Sequence, residues 1–429
     1  MLKLKEKLLK EIDKIEIIDS HEHLDPENEA IKLKRDIFSF FSGYTQCDLI
    51  SSGLSQEDLE KLFDQSVSID ERWKILKPFW ERIKNTCFSQ SLLITLREIY
   101  GFDDINSKNI FQLSDMLAEN FRIGIYNDIL VKKCNIRKVL TQCFRTDVDS
   151  NNEKLLLPVM PLWVGAGSTT GRWEDFQNLG PMTKIDAYLP EWEYKDFSIN
   201  ALDDCLENQS SYYKRIKREG AIGVKFVPFP KFNLEESPDE ALAIRDFDDF
   251  KNHKFEKLPQ PNNLYSYLLD RAISSAIENG LVISVHTGFW GDFRILSPLN
   301  IIPVLMRYPQ GKFDLYHLGY PWIRESIMIA KGFQNAFLNF CWLHIISRKA
   351  AMDAMDEALE TVPVNKIIAF GGDYNSLTVE KIYGHLKIAK DNIAEVLKKK
   401  IDKGELSYKA CLEIPDKIFS TNIKQLYGL

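Results

Sequence analysis

Histidine and aspartate residues follow several hydrophobic runs in this sequence, at positions where they could act together. The first run ends in KIEIIDSHEHL, which places His21 and His23 one residue apart. Later runs end in LVISVHTG with His286, in KFDLYHLG with His317 and in KIIAFGGDY with Asp373. Four of the seven histidines therefore lie at the ends of hydrophobic runs, which is not the distribution expected of scattered core histidines.

If the hydrophobic runs are β-strands, these side chains have the composition of a metal site. Side chains two residues apart on a strand point the same way, so His21 and His23 can bind one ion together. With His286 and Asp373 they offer three nitrogens and one oxygen, and a site with a position left open for water is typical of catalysis. Zn²⁺ is the first expectation, while Mn²⁺, Fe²⁺ and Co²⁺ stay open on ligand type alone. A single histidine of this kind is more often a hydrogen-bonded structural residue, so the prediction depends on the coincidence.

Eight hydrophobic runs are the candidate strands that would hold these residues. Most are continuously hydrophobic rather than alternating, which is typical of parallel strands buried on both faces. From residue 227 onward a helical pattern fills each interval, and such alternation gives parallel strands joined by right-handed crossovers. We therefore predict an α/β fold, a closed (β/α)8 TIM barrel, whose strands converge at their carboxyl ends. No G-x-G-x-x-G follows the first run, which disfavours a dinucleotide-binding sheet. The runs are 15–19, 136–144, 155–164, 221–227, 281–288, 312–319, 335–342 and 366–374.

The chain is much longer than a minimal barrel of about 250 residues, so it must carry insertions. Residues 31–133 are helical in pattern and predict an insertion after strand one that caps the site. Residues 165–213 are rich in Trp, Gly, Pro and Asp and predict a loop-like second insertion. Residues 378–429 predict C-terminal helices that pack on the outside. We expect residues 1–429 to form a single barrel domain rather than two domains.

The composition and charge of the chain argue against several classes of protein. The net charge is −7 with acidic and basic residues interspersed, which argues against a nucleic-acid-binding or anionic-membrane surface. The seven cysteines form no C-x-x-C pair and are expected to be buried thiols in a reducing compartment. The N-terminal MLKLKEKLLKEIDK predicts a surface helix without a secretory leader, and no hydrophobic stretch is long enough to span a membrane. We expect a cytoplasmic protein that acts on a small molecule, with homo-oligomer formation left open.

The motifs DSHEHL, VHTG, YHLGYPW and GGDY, in this order, resemble the amidohydrolase superfamily, specifically its amidohydrolase-2 branch. Within that branch the chain is similar to nodulin/FluG-like proteins and, more distantly, to uronate isomerase. The resemblance implies a metal-dependent (β/α)8 enzyme in which His21, His23, His286 and Asp373 bind the metal. It also implies that Asp373 is the general base and that His317 binds a second metal or stabilises the polarised oxygen.

Four further residues are candidates for substrate contact. Lys225 ends strand four; it is expected to meet a substrate carboxylate, and the alternatives are a carboxylated lysine that bridges two ions or a lysine without a role. Arg145 and Arg324 could bind a carboxylate through two parallel hydrogen bonds, whereas the simpler interpretation of each is a surface ion pair. Trp290 follows strand five, where a tryptophan is more often packing than a substrate platform.

The leading functional prediction is metal-dependent hydrolysis of a small polar molecule at an amide or lactone carbonyl. In this mechanism Asp373 takes a proton from metal-activated water and His317 stabilises the developing oxyanion. The alternatives on the same metal site are a non-oxidative decarboxylase and a uronate-isomerase-like enzyme, because the fold does not separate these reactions. The sequence GGDYNS lacks the arginine–histidine–aspartate cluster of uronate isomerase, which argues against sugar isomerisation. A non-catalytic binding barrel is the third alternative.

Overall fold

Eight parallel strands form the centre of the molecule in a computed structural model that describes residues 3–148, 154–167, 172–177, 199–227 and 237–429. The strands are hydrogen-bonded in the order β1 to β8. The two outer strands meet through the backbone: Ser20 N donates to Phe370 O at 3.1 Å, and Asp373 N donates to His21 O at 2.8 Å. The predicted (β/α)8 barrel is thereby confirmed. The strands are β1 Ile17–Glu22, β2 Ile136–Thr141, β3 Leu156–Pro161, β4 Gly223–Phe226, β5 Val282–His286, β6 Phe313–Tyr316, β7 Ala336–Asn339 and β8 Ile367–Ile368.

Helices surround the barrel and fill the insertions. They are α1 Leu4–Ile12, α2 Glu27–Ala30, α3 Tyr44–Ser51, α4 Gln56–Phe63, α5 Ile69–Ile83, α6 Cys87–Thr95, α7 Ile110–Asn120, α8 Trp173–Gln177, α9 Leu202–Arg218, α10 Glu240–Lys251, α11 Asn263–Glu278, α12 Ile302–Arg307, α13 Ile323–Gly332, α14 Leu343–Ile346, α15 Arg348–Thr361, α16 Lys381–Asp402, α17 Tyr408–Asp416 and α18 Asn422–Tyr427. Within the described ranges, no helix combines the length and the apolar character needed to cross a membrane.

The helices of residues 31–133 are held against α16, the helix that follows the strand-eight loop. Arg35 donates two hydrogen bonds to Glu380, at 2.8 and 2.5 Å, and both side chains are fully buried. Tyr100 donates to the same carboxylate at 2.7 Å, and Lys381 donates to the carbonyl oxygen of Phe40 at 2.7 Å. These contacts join the insertion to the segment of chain that carries Asp373.

Two segments differ from the sequence-based expectation. The second insertion, expected to be loop-like over 165–213, contains α8 and the beginning of the long helix α9, while residues 168–171 and 178–198 lie outside the described residues. The tail was expected to pack on the outside, yet Ile423, Leu426 and Tyr427 of α18 pack with Ile18 and Val282 of the strands. Apolar side chains on one face of a short helix thus close the amino-terminal end of the barrel.

Candidate metal centre

His21, His23 and Asp373 meet at the carboxyl end of the barrel. His21 lies near the end of β1 and His23 just beyond it, while Asp373 follows two glycines after β8 and has a left-handed backbone with φ 66°. Asp373 Oδ1 lies 3.1 Å from His21 Nε2 and 3.2 Å from His23 Nε2. One ligand atom from each residue can be chosen so that all three lie within 4.8 Å of one another. Separations near 3 Å are those of two ligands that each lie about 2.0–2.2 Å from one ion.

His23 makes one contact through each ring nitrogen, and the hydrogen bond at Nδ1 determines the tautomer of the neutral ring. His23 Nδ1 lies 3.1 Å from the carbonyl oxygen of Gln142, which can only accept, so Nδ1 carries the hydrogen. In the neutral ring Nε2 is then a lone pair, directed at the carboxylate oxygen of Asp373 3.2 Å away. Two acceptors at this distance repel unless a proton or a metal cation lies between them. A backbone carbonyl that orients a ligating histidine in this way is a common feature of metal sites.

His286 and His317 form a second pair beside these three residues. His317 Nδ1 lies 3.2 Å from the carbonyl oxygen of Cys341 and donates to it, so His317 Nε2 is a lone pair in the neutral ring. That Nε2 lies 3.1 Å from His286 Nδ1 and 3.8 Å from Asp373 Oδ2. Nε2 of His286 is buried without a hydrogen-bond partner. The structure therefore brings His286 and His317 next to the Asp373 carboxylate but outside the three-residue cluster.

Burial keeps these groups in the protonation states that a metal requires. Desolvation lowers the pKa of His21 and His286 well below the usual range and that of His317 to about 4, so all three rings are neutral at pH 7. Burial acts to raise the pKa of Asp373, but His21 and His23 outweigh it and hold that pKa well below its usual value. Neutral imidazoles beside an ionised carboxylate are the forms in which these side chains bind metal.

Two acidic residues of β1 attach the Asp373 loop to the strand. Asp19 Oδ1 accepts from the backbone N–H of His21 and of Gly372, each at 3.2 Å, and Glu22 Oε2 accepts from Tyr374 N at 2.6 Å. A side chain at Gly372 would overlap Glu22 Oε1, so this position requires glycine. The backbone on both sides of Asp373 is therefore fixed by the side chains of Asp19 and Glu22.

Lys225 lies in the barrel interior below the cluster. Its side chain is buried, its Nζ has no hydrogen-bond partner, and Nζ stands 3.9 Å from the centroid of the Tyr316 ring. The Tyr316 ring in turn lies 4.5 Å from the ring of His21. Burial lowers the pKa of Lys225 to about 8, so most of the population is charged at pH 7. The geometry leaves this ammonium group available to an acceptor atom.

Tyr44, at the start of α3, is a site residue that the sequence reasoning missed. Burial together with the Asp373 carboxylate raises the pKa of Tyr44 well above its usual value, so a protonated phenol lies beside that carboxylate. Tyr44 also packs on Trp342, with 4.3 Å between ring centroids. No local signal in the sequence marks this tyrosine, because its contact with Asp373 depends on how the insertion docks.

The remaining predicted substrate contacts have different surroundings. Arg145 is ion-paired with Asp147 near the end of β2 and lies close enough to Asp25 to affect its pKa. Trp290 stands beside Tyr44 and Trp342, with 6.2 Å between ring centroids in each case. Arg324 is not brought to the site.

Arg324 lies on α13, where 82% of its side chain is exposed, and it pairs with Glu357 of α15 at 3.2 Å. It lines an outer groove of about 380 Å³ together with Leu299 and Met328. The sequence placed it after strand six, but the helical rotation beyond that strand directs it outwards. Arg324 therefore forms a surface ion pair with Glu357, which was the simpler interpretation of this arginine.

Comparisons with known proteins agree with this fold. A model of the amidohydrolase family, Amidohydro_2, matches residues 212–429, which is slightly more than half of the chain. The protein fluG of Emericella nidulans is 29% identical over 90 residues, a segment that makes up 20% of this chain and 10% of fluG.

Solved structures share the fold over nearly the whole chain. Glucuronate isomerase from Caulobacter crescentus is 15% identical with a TM-score of 0.74, and the match covers 99% of this chain and 94% of that one. A Lactobacillus casei ATCC 334 protein named as a candidate metal-dependent hydrolase is 17% identical with a TM-score of 0.65, covering 98% and 97% of the two chains. The assignment made from the DSHEHL, VHTG, YHLGYPW and GGDY motifs is confirmed: this chain belongs to the amidohydrolase family.

Proposed function

We propose that this chain is a metal-dependent hydrolase of a small molecule, acting at an amide or lactone carbonyl. The observation that carries the proposal is the contact between His23 Nε2 and Asp373 Oδ1 at 3.2 Å. The hydrogen bond from His23 Nδ1 to Gln142 makes this a meeting of two lone pairs, which a divalent cation would reconcile.

The residues present fit one divalent ion. His21 Nε2, His23 Nε2 and Asp373 Oδ1 would hold it, and the buried, unpartnered Nε2 of His286 is a further imidazole nitrogen beside the centre. Such a donor set suits Zn²⁺ first, and also Mn²⁺, Fe²⁺ or Co²⁺. When bound, the ion lowers the pKa of water and polarises a carbonyl oxygen. A second ion would need Lys225 to be carboxylated, which is the less favoured arrangement because Nζ packs on the Tyr316 ring.

Proton transfer falls to Asp373. Its Oδ1 faces His21 of β1 and His23 just beyond that strand, while Oδ2 lies 3.8 Å from His317 Nε2 and is the oxygen left to accept a proton. The carboxylate is ionised at pH 7, so it can accept a proton from water and pass it to the leaving group. The protonated phenol of Tyr44 lies beside the same carboxylate.

The developing oxyanion needs a donor, and the tautomers decide which residue supplies it. His317 was predicted to stabilise the oxyanion, but its Nδ1–H is committed to Cys341 O, which leaves a lone pair at Nε2. Lys225 carries unpaired N–H groups and a positive charge in a buried position, where charge stabilisation is strong. We therefore assign oxyanion or carboxylate binding to Lys225, while His317 Nε2 accepts from His286 Nδ1 beside the Asp373 carboxylate.

The test is metal content and turnover in matched variants. Protein purified without chelator should hold about one equivalent of metal per chain, as a single mononuclear site requires. The His21→Ala/His23→Ala variant should lose it, and His253→Ala, which removes an exposed loop histidine, should keep it. Hydrolysis of a panel of lactones and N-acyl amides should follow metal content.

Three outcomes would contradict the proposal. Absence of metal after reconstitution with Zn²⁺ or Mn²⁺ would remove the metal centre altogether. Equal metal in the double variant and in wild type would place the ion elsewhere. The third outcome is a metal-loaded protein that does not hydrolyse the panel but releases CO₂ from acids or isomerises uronates. That result would leave the metal centre in place and show that decarboxylation or isomerisation, rather than hydrolysis, is the reaction.

A further inference from the structure

Five aromatic rings from four separate segments stand together on the insertion side of the candidate metal centre. We call them the aromatic wall: Tyr44 of α3, Phe88 of α6, Phe289 and Trp290 after β5, and Trp342 after β7. Trp342 is central, with ring centroids 4.3 Å from Tyr44, 5.9 Å from Phe289 and 6.2 Å from both Phe88 and Trp290. Such offset and edge-on arrangements are favourable for aromatic groups.

The aromatic wall is continuous with the metal-facing residues. Trp342 meets the ring of His317 edge-on at 5.3 Å, and the Tyr44 phenol lies close enough to Asp373 for that carboxylate to raise its pKa. A group bound against these rings would therefore adjoin the metal-facing residues. The wall and the metal centre form two parts of one site.

Trp290 is the exposed member of the wall. Trp342 is 1% exposed, whereas 43% of Trp290 is exposed although it touches the same neighbours. Large apolar surfaces left open beside a pocket commonly mark binding sites. Phe293, three residues further along the chain, is 37% exposed and extends the same apolar rim.

Charged side chains that flank the centre are paired with each other: Asp292 binds Arg294, and Arg145 binds Asp147. Among the described residues, the buried hydrogen-bond donors without a partner include Lys225 Nζ and Trp342 Nε1. The Lys225 ammonium group fits an oxyanion or carboxylate, whereas hydroxyl groups packed against the rings of the aromatic wall would lose hydrogen bonds to water that these rings cannot replace.

We propose that the substrate carries a planar aromatic group next to its carbonyl or carboxylate, with the ring packed against Trp290 and Tyr44. The oxygen end of the molecule faces Lys225 and the metal centre, and sugar acids are poor ligands. This inference rests on the proposed function and specifies its substrate class. Trp290 is then a specificity-determining residue, whose ring is partly exposed when no substrate is bound.

The test uses benzoate, cyclohexanecarboxylate and D-glucuronate as probes of metal-loaded protein, with metal content measured on the same samples. Isothermal titration should show benzoate binding at least about tenfold more tightly than glucuronate, with cyclohexanecarboxylate between them. Trp290→Ala should weaken benzoate binding by about three- to tenfold, the range expected for one aromatic contact, and leave glucuronate unchanged. Trp290→Phe should restore most of the loss, and Phe111→Ala, which removes a half-exposed ring on α7, should have no effect.

Each contrary result has a distinct meaning. Equal or tighter binding of glucuronate, no effect of Trp290→Ala, or no binding of any probe to protein that holds its metal would overturn the aromatic assignment while leaving the metal centre intact. Protein that takes up no metal would instead overturn the proposed function, whatever the probes do.

Discussion

Asp314, inside the barrel below the metal centre, gives a pH-dependent test of the buried polar network. It is fully buried on β6, where Oδ2 accepts from Tyr427 at 2.8 Å and from Asn339 at 3.0 Å, while Oδ1 has no hydrogen-bond partner. Burial raises its pKa from 3.8 to about 7. The folded state therefore binds a proton more tightly than the unfolded chain, and the stability of the fold falls as pH rises through this interval.

The magnitude follows from the size of the shift. Each pKa unit is worth about 1.4 kcal/mol, so the penalty grows by roughly 3 kcal/mol between pH 5 and pH 7 and is constant above. Asp314→Asn removes the titration and keeps an oxygen acceptor for Tyr427 and Asn339. The amide nitrogen of the asparagine takes the place of Oδ1, which has no hydrogen-bond partner. Burying these N–H groups unpaired costs about 1–3 kcal/mol, and this cost does not depend on pH.

The measurement is the free energy of unfolding of wild type and Asp314→Asn in denaturant at pH 5 and at pH 8. We expect the difference between the two proteins to shift in favour of the variant by roughly 3 kcal/mol on going to pH 8. Titrating groups that do not interact with Asp314 are common to both proteins and cancel in this double difference, and Lys225→Met in both backgrounds removes the ammonium group that is coupled to Asp314. A shift below about 1 kcal/mol would refute the inference that burial keeps Asp314 protonated, since the ionised group would then be tolerated in place.

Two further predictions concern the support of the site. Gly372→Ala places a methyl group on Glu22 Oε1, so metal affinity measured by competition with a chelator should fall at least about tenfold; Gly332→Ala, where a Cβ meets nothing within 4 Å, is the control and should retain wild-type affinity. Arg35→Met leaves Glu380 as an uncompensated buried charge and should cost about 3–5 kcal/mol of unfolding free energy, while Arg35→Met/Glu380→Leu should recover most of that loss. Equal instability of the single and double variants would show that packing, rather than charge, holds the insertion in place.

The barrel and the convergence of its polar residues could be predicted because both follow from local patterns. Continuous hydrophobic runs identify parallel strands, and strand ends in a closed barrel must meet, so His21, His286 and Asp373 were expected on one rim. Strand β8 shows the limit of this reasoning. Its hydrophobic run predicts nine residues, but only Ile367–Ile368 pair as strand, and the chain beyond them meets β1 and the segment after β7 through single backbone hydrogen bonds at Phe370 and Gly371.

The contacts that depend on the rotation of a helix or on the docking of the insertion could not be predicted from the sequence. Arg324 follows strand six at the expected distance in sequence, yet one helical turn is enough to direct it to solvent. Tyr44 is separated from Asp373 by the length of the chain and reaches it only because the insertion docks on α16. The tautomers of His23 and His317 depend on the carbonyl oxygens of Gln142 and Cys341, which no sequence pattern encodes.

The backbone at the strand ends indicates which side chains the site requires. His317, Trp342 and Asp373 follow β6, β7 and β8 with φ of 64°, 64° and 66°, a conformation that costs a residue with a side chain about 1–2 kcal/mol relative to glycine. Glycine would remove that cost at each position, so the cost is accepted for the sake of the side chain. For His317 and Asp373 the proposed metal centre supplies the reason. Trp342 is 1% exposed and packs on Tyr44 and Phe289, so its indole is accepted in this conformation because it holds the aromatic wall together. The wall in turn presents Trp290 to the substrate in our proposal.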